Sequence, residues 1–219
     1  MTTRTATRRP RTAREDETNL RILYTAERLF AARGIDGVSV RSILAEAGVN
    51  VALAHYHFGC RAGLIEAVLR RRVAPINEER VRLIRELQSR GRPYSIEGVL
   101  RASYEPMLRL LYEQPEFAKI VGLVYSSPDT QLRASFEALF AESGVLVADA
   151  IRPLLPDGLS PVQRLCRTMF LFATVVHTMT RFDDIRALSR SRRHAVPTLA
   201  QLLDELVAFG AAGIRAPPT

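Results

Sequence analysis

The chain has 219 residues, 47% of them hydrophobic, with two cysteines and a formal net charge of +8. That length buries a real core and suits one small domain beside one of medium size. No run of 18 uncharged apolar residues argues for a membrane span, and the arginine-rich start lacks the apolar segment of a secretory signal. A soluble cytoplasmic protein with reduced thiols is therefore expected.

The placement of charge says more than its total. Residues 1–90 hold 17 Arg against 10 Asp and Glu, whereas residues 91–219 hold 14 Arg and Lys against 13 acids. A basic segment joined to a nearly neutral one is the electrostatic footprint of a nucleic-acid module attached to a part with another task. A solvated basic surface would give the same counts.

Residues 1–14, "MTTRTATRRPRTAR", contain five arginines and no acid. They cannot bury enough surface to fold, so a disordered basic arm is expected, suited to a DNA backbone or minor groove, or simply a mobile tail. From Glu15 the pattern turns helical, with Leu23, Ala26, Leu29 and Phe30 on one face and Gly34 as a left-handed cap. Ser39 then caps a short helix, about Val40 to Ala47, that stops at Gly48. A third helix follows Asn50 as far as Phe58. A fourth starts near Arg61, where Pro75 must kink or split it.

Beyond "SRGRPYS" the spacing predicts helices over Ser95 to Glu113, with a kink at Pro106, then Pro115 to Tyr125, Pro128 to Leu155, Ser160 to Leu188 and Pro197 to Ile214. No period-two run competes, so the fold class is all-α. The stretch "MFLFATVVHTM" is apolar all round and must be covered on every side. Leu199, Leu202, Leu203, Leu206 and Gly210 form a second stripe, with a glycine allowing close approach. Together they fit a dimer interface, and equally an intramolecular core.

A short helix, a glycine turn and a second short helix make a helix-turn-helix, whose second helix enters the major groove. Other chemistries fit less well. His55 and His57 point roughly 200° apart around a helix and cannot share a metal ion. Cys60 beside Arg61 at a helix start would suit a thiol sensor, although a small capping substitute explains it more plainly. The nucleophile-elbow, phosphate-loop, dinucleotide and zinc-protease motifs are all missing, which argues against an enzyme, a DNA-targeted one included. Neither a metal nor a cofactor is expected.

Residues 21–69 resemble the DNA-binding domain of the TetR family of bacterial transcriptional regulators. The likeness lies in Phe30 with Gly34, in Val38-Ser39-Val40 before Ile43, in Glu46-Ala47-Gly48-Val49, and in Tyr56-His57-Phe58-Gly59 before Arg61 and Leu64. The segment around Tyr56 is also similar to a subgroup that includes regulators of fatty-acid and acyl-CoA metabolism. The resemblance implies an arm over residues 1–14, a three-helix DNA-binding domain over 15–60, and a connecting helix with a ligand-binding and dimerisation domain over 61–219. The last two long helices would form a four-helix bundle in a homodimer.

By this resemblance Ser39 and Arg41 contact phosphate. Asn50, Val51, Ala52 and Leu53 lead the recognition helix, with His55 and Tyr56 one turn later. Arg61, where the family usually has Lys, grips the backbone, and Phe58 and Leu64 belong to the core. Leu44 is larger and Ala54 smaller than is usual, a volume exchange between facing positions. A mostly apolar pocket would draw on Tyr104, Leu108, Phe117, Val121, Tyr125, Phe136, Phe140, Met169, Phe170 and His177. Arg101, Arg109 or Lys119 would meet the acidic end of a ligand. The dimer interface would use Phe172 and Val176 with Leu199, Leu202, Leu203, Leu206 and Gly210. The expected function is a repressor that binds a pseudo-palindromic double-stranded operator and is released by a hydrophobic effector, a fatty acid or acyl-CoA.

Overall fold

The computed structural model describes residues 13–50, 58, 60–91 and 93–218. Among them every regular element is helical. The helices are α1 (Ala13–Arg33), α2 (Val40–Glu46), α3 (Arg61–Ser89), α4 (Ile96–Glu113), α5 (Pro115–Ser126), α6 (Thr130–Ala138), α7 (Ala141–Ile151), α8 (Pro161–Thr180), α9 (Phe182–Ser191) and α10 (Leu199–Arg215). The chain forms two compact units, Met1–Val68 and Leu69–Thr219, and the division falls inside α3.

In the first unit Ile22, Ala26, Leu29 and Phe30 of α1 are buried, along with Ile35, Val38, Ile43 and Leu44. Ile22 rather than Leu23 completes the inward stripe of α1, because Leu23 is only half-buried. Cys60 is exposed and lends its carbonyl to the first hydrogen bond of α3, from Leu64 N at 3.1 Å.

The second unit is organised on α4, which packs against α5, α7, α8 and α10. Ser95 caps it, and Val99, Leu100, Tyr104, Leu108 and Leu111 are buried along its length. Gly210 lets α10 lie close: a Cβ there would meet Leu171 Cδ2 at 2.8 Å and Leu100 Cδ1 at 3.0 Å. Both α8 and α10 start on capping boxes, Ser160 with Gln163 and Thr198 with Gln201, which satisfy orphan donors reciprocally.

Two boundaries differ from the sequence expectation. α3 is not split at Pro75, and Pro106 lies inside α4 as expected, since a proline removes one helical hydrogen bond but packing on neighbouring turns holds the rest. The helix expected over Pro128 to Leu155 breaks at Leu139 and Phe140, and the Asn77 side-chain amide donates to Leu139 O at 2.6 Å. The helix expected to reach Leu188 stops at Thr180. Arg181 leaves helical geometry, which turns Phe182 into the core with its ring centroid 5.2 Å from that of Tyr112 and sets Asp183 and Asp184 in the first turn of α9. Acidic groups there complement the helix dipole.

Candidate DNA-contact face and ligand cavity

The turn after α2 is set by the backbone. Gly48 adopts φ +63°, a left-handed conformation that costs glycine nothing. Its N–H donates to Ala45 O at 3.2 Å, and the Val49 N–H reaches back to Leu44 O at 2.9 Å. These two bonds make a Schellman motif, closed by the buried side chains of Leu44 and Val49. At the other end of α2 the Ser39 hydroxyl accepts from Ser42 N at 3.1 Å. Ser39 therefore caps its helix, Arg41 is exposed two residues on, and Asn50 is exposed just past the glycine turn.

Arg61 donates to the Ile35 carbonyl and lies 3.7 Å from Asp36. That engagement makes it a brace between the α1–α2 turn and the start of α3, and a phosphate would have to compete with the carbonyl for it. Val51, Ala52, Leu53, His55 and Tyr56 lie outside the described residues, as does Ala54.

The second unit contains a cavity of about 270 Å³ between α3, α4, α5, α6, α7 and α8. Of the residues expected to line a pocket, Phe117, Val121, Tyr125, Phe136 and Phe140 do so. The aromatic walls interlock edge-to-face, with Phe136 centred 5.6 Å from Tyr125 and 5.4 Å from Phe140. Burial pushes the Tyr125 phenol up to about 12, helped by the negative charge of Glu137.

Five expected pocket residues lie elsewhere. Tyr104 and Leu108 are buried away from the cavity, and the Tyr104 hydroxyl donates to Leu171 O at 3.1 Å. Met169 and Phe170 are 56% and 65% exposed, and His177 is also on the surface. The rotation of α8 explains the exchange: Leu171, Val175 and Met179 turn inward, so that Phe172 and Val176, expected at a dimer interface, line the cavity instead. In α10, Leu202, Leu203, Leu206 and Gly210 are buried within their own chain, chiefly against α4, while Leu199 is half-buried. On α8 and α10 the large apolar side chains left outside are Val162, Leu165, Met169, Phe170 and Phe209, the last 70% exposed.

The cations proposed for an acidic ligand are also placed elsewhere. Arg101 pairs with Asp204 at 2.5 Å, Arg109 pairs with Glu79, and Lys119 is exposed. The cation in the cavity wall is Arg80, only 2% exposed. Its Nη1 donates to Asn77 Oδ1 at 3.1 Å and Ser143 Oγ at 2.8 Å, and its Nη2 donates to Ser103 Oγ at 3.2 Å. Burial pulls its pKa down to about 10, so it remains a cation at neutral pH. Its signal in the sequence is an arginine inside the apolar stripe Val73, Arg80 and Ile84, at helical spacing.

Among the described residues no group of three metal-ligating side chains converges, and no helix is long and apolar enough to cross a membrane.

Comparison with known proteins gives two family matches. The family "Bacterial regulatory proteins, tetR family" matches residues 22–68, and "Tetracyclin repressor-like, C-terminal domain" matches residues 101–213. A helix-turn-helix-type transcriptional repressor of Mycobacterium tuberculosis is 44% identical over 70 residues, and a regulator of Mycobacterium bovis matches equally. These matches span 32% of this chain and 37% of the relatives' length. In fold the chain is similar to the transcriptional regulator FadR of Bacillus subtilis, solved with stearoyl-CoA, at TM-score 0.69 and 15% identity over 90% of this chain and 99% of that one. It is likewise similar to FadR of Bacillus halodurans, at TM-score 0.71 and 14% identity over 95% and 100% of the two chains.

Proposed function

This chain belongs to the tetR family of bacterial regulatory proteins, and we infer that it is a repressor released from its operator by a small hydrophobic molecule. The observation that carries this reading is the presence in one chain of a short helix closed by a glycine turn at Gly48 and, in the other unit, an apolar cavity of about 270 Å³. Ser39, Arg41 and Asn50, with the segment that follows, contact DNA. Phosphate contacts set register and salt dependence, and base edges set sequence. Val162, Leu165, Met169, Phe170 and Phe209 form the homodimer face, because so many exposed apolar side chains on two adjoining helices mark an interaction surface. Two recognition helices then meet successive major grooves of a pseudo-palindromic site. An effector that binds better to a dimer state of different spacing shifts the population and lowers DNA affinity. The bound stearoyl-CoA of the Bacillus subtilis protein supports an acyl compound as the effector class.

A mobility-shift titration with DNA flanking the protein's own gene, at several salt concentrations and with acyl compounds added, tests this reading. A sequence-specific, salt-sensitive shift relieved by an acyl compound is expected. A shift indifferent to DNA sequence overturns the regulator reading.

A further inference from the structure

We propose that the end of α9 and the turn after it, with Arg190, Arg192 and Arg193, form a second contact for the DNA backbone, separate from the helix-turn-helix. The inference rests on the DNA-binding reading above and adds a surface to it.

Residues 186–194, "RALSRSRRH", hold four arginines, one histidine and no acid. The remainder of residues 91–219 carries 13 acids against 10 Arg and Lys, so this segment supplies the positive charge of that half. The two acids of α9 already face other arginines. Asp183 lies 3.7 Å from Arg186, which also covers the Phe182 ring at 4.8 Å, and Asp184 lies 3.5 Å from Arg181. Arg190, Arg192 and Arg193 are exposed, and among the described residues none of them has an ion-pair partner.

The backbone displays these side chains at a cost in stability. The Arg193 N–H donates to Arg190 O at 3.1 Å and the His194 N–H to Ser189 O at 2.8 Å, closing α9 as a Schellman motif with Arg193 in its left-handed position at φ +55°. Glycine stands at the other left-handed positions among the described residues, Gly34, Gly48, Gly91 and Gly158. A Cβ disfavours that conformation, and residues so held cluster where ligands are gripped. Cations also complement a helix C-terminus, but Arg190 in the last turn meets that need alone.

Tyr112 ties the segment to the C-terminal end of α4, with its ring 5.2 Å from that of Phe182 and its hydroxyl donating to Pro197 O at 2.8 Å. One turn back, Arg109 pairs with Glu79 of α3, and Glu113 shares a cleft with Arg71 and Arg72. The arginines thus stand at the end of the second unit where α3 enters it. Unpaired cations on a short, hydrogen-bonded turn suit the phosphates of a duplex, because each neutralising contact releases condensed counterions.

Fluorescence anisotropy of the full chain on the DNA flanking its gene and on a random duplex, across a series of salt concentrations, tests the proposal. In a variant carrying Arg190→Gln, Arg192→Gln and Arg193→Gln, with folding checked by circular dichroism, the slope of log affinity against log salt should be shallower by about 2–3 on both duplexes. A wild-type slope in that variant overturns the proposal. Arg193→Gly separates contact from stability: its melting temperature should rise by about 2–4 °C while the slope becomes shallower by about 1. A rise with the slope intact removes Arg193 from the contact. Variant-sensitive binding to phosphatidylglycerol vesicles with an unchanged DNA slope assigns the cluster to a lipid surface and likewise overturns the proposal. Wild-type protein that binds both duplexes equally overturns the regulator reading instead, and the slope comparison still decides this one.

Discussion

In Met1–Val68 two turns close on neighbouring backbone, with the Arg61 side chain adding one longer-range brace at Ile35 O. Gly48 closes α2 with two main-chain hydrogen bonds, and the Gly34 N–H closes α1 onto Phe30 O at 2.9 Å. In Leu69–Thr219 comparable corners are held by side chains that reach across from other helices. Asn77 holds the α6–α7 corner at Leu139 O, the Tyr112 hydroxyl holds Pro197 O at 2.8 Å, and Arg167 holds the end of α10 through the carbonyls of Ile214, Ala216 and Pro217. Turns closed by neighbouring residues fix a small unit locally, as a DNA-reading element requires. Corners closed at long range leave room for a cavity and a buried cation. The contrast shows two ways in which the described helices are joined, by bonds within a turn and by bonds across the unit.

Two substitutions in the first unit test how firmly it is held. Leu44 is fully buried, so Leu44→Ala should cost about 2–5 kcal/mol through lost burial and a residual cavity, read as a lower urea midpoint. If Leu44 and Ala54 have exchanged volume, adding a larger aliphatic at Ala54 should recover part of that loss; a neutral or stabilising Leu44→Ala would end the idea. Gly48→Ala should cost less, about 1–2 kcal/mol, because its methyl meets nothing within 4 Å and the penalty is only the left-handed backbone. Thermal melting that shows no loss would mean that the turn is held by something other than its glycine.

The same contrast explains which features were legible in the sequence. Gly34, Ser39 and Gly48 act through residues within five positions, so their residue types announce the turns they make. The corner at Leu139 and Phe140 contains neither glycine nor proline, and it exists because Asn77 and the Phe136 and Phe140 rings meet there. The stripe of Leu202, Leu203 and Leu206 announces an apolar face without saying whether α4 or a second subunit covers it. In α8, apolar residues on every side gave no phase, so Phe172 and Val176 exchanged places with Met169 and Phe170. Arg80 was missed in favour of Arg101, Arg109 and Lys119, although its position within an apolar stripe left a signal, since a buried charge is rare unless it has a partner.

The smallest expected change separates stability from ligand binding in the second unit. Gly144 lies inside α7 and lines the cavity, and a Cβ built there meets nothing within 4 Å. Its backbone does not need glycine, because its φ lies outside the positive range. Gly144→Ala should therefore gain about 0.5–1 kcal/mol from helix propensity and lower backbone entropy in the unfolded chain. A methyl added at this lining position takes up open space in the wall, so the melting temperature should rise while the affinity for an acyl ligand falls. DNA affinity without ligand should stay at the wild-type value, because the first unit is untouched. A rise in stability with ligand affinity unchanged would show that the cavity wall at α7 does not meet the ligand, and would confine the binding site to the walls nearer Phe117 and Val121.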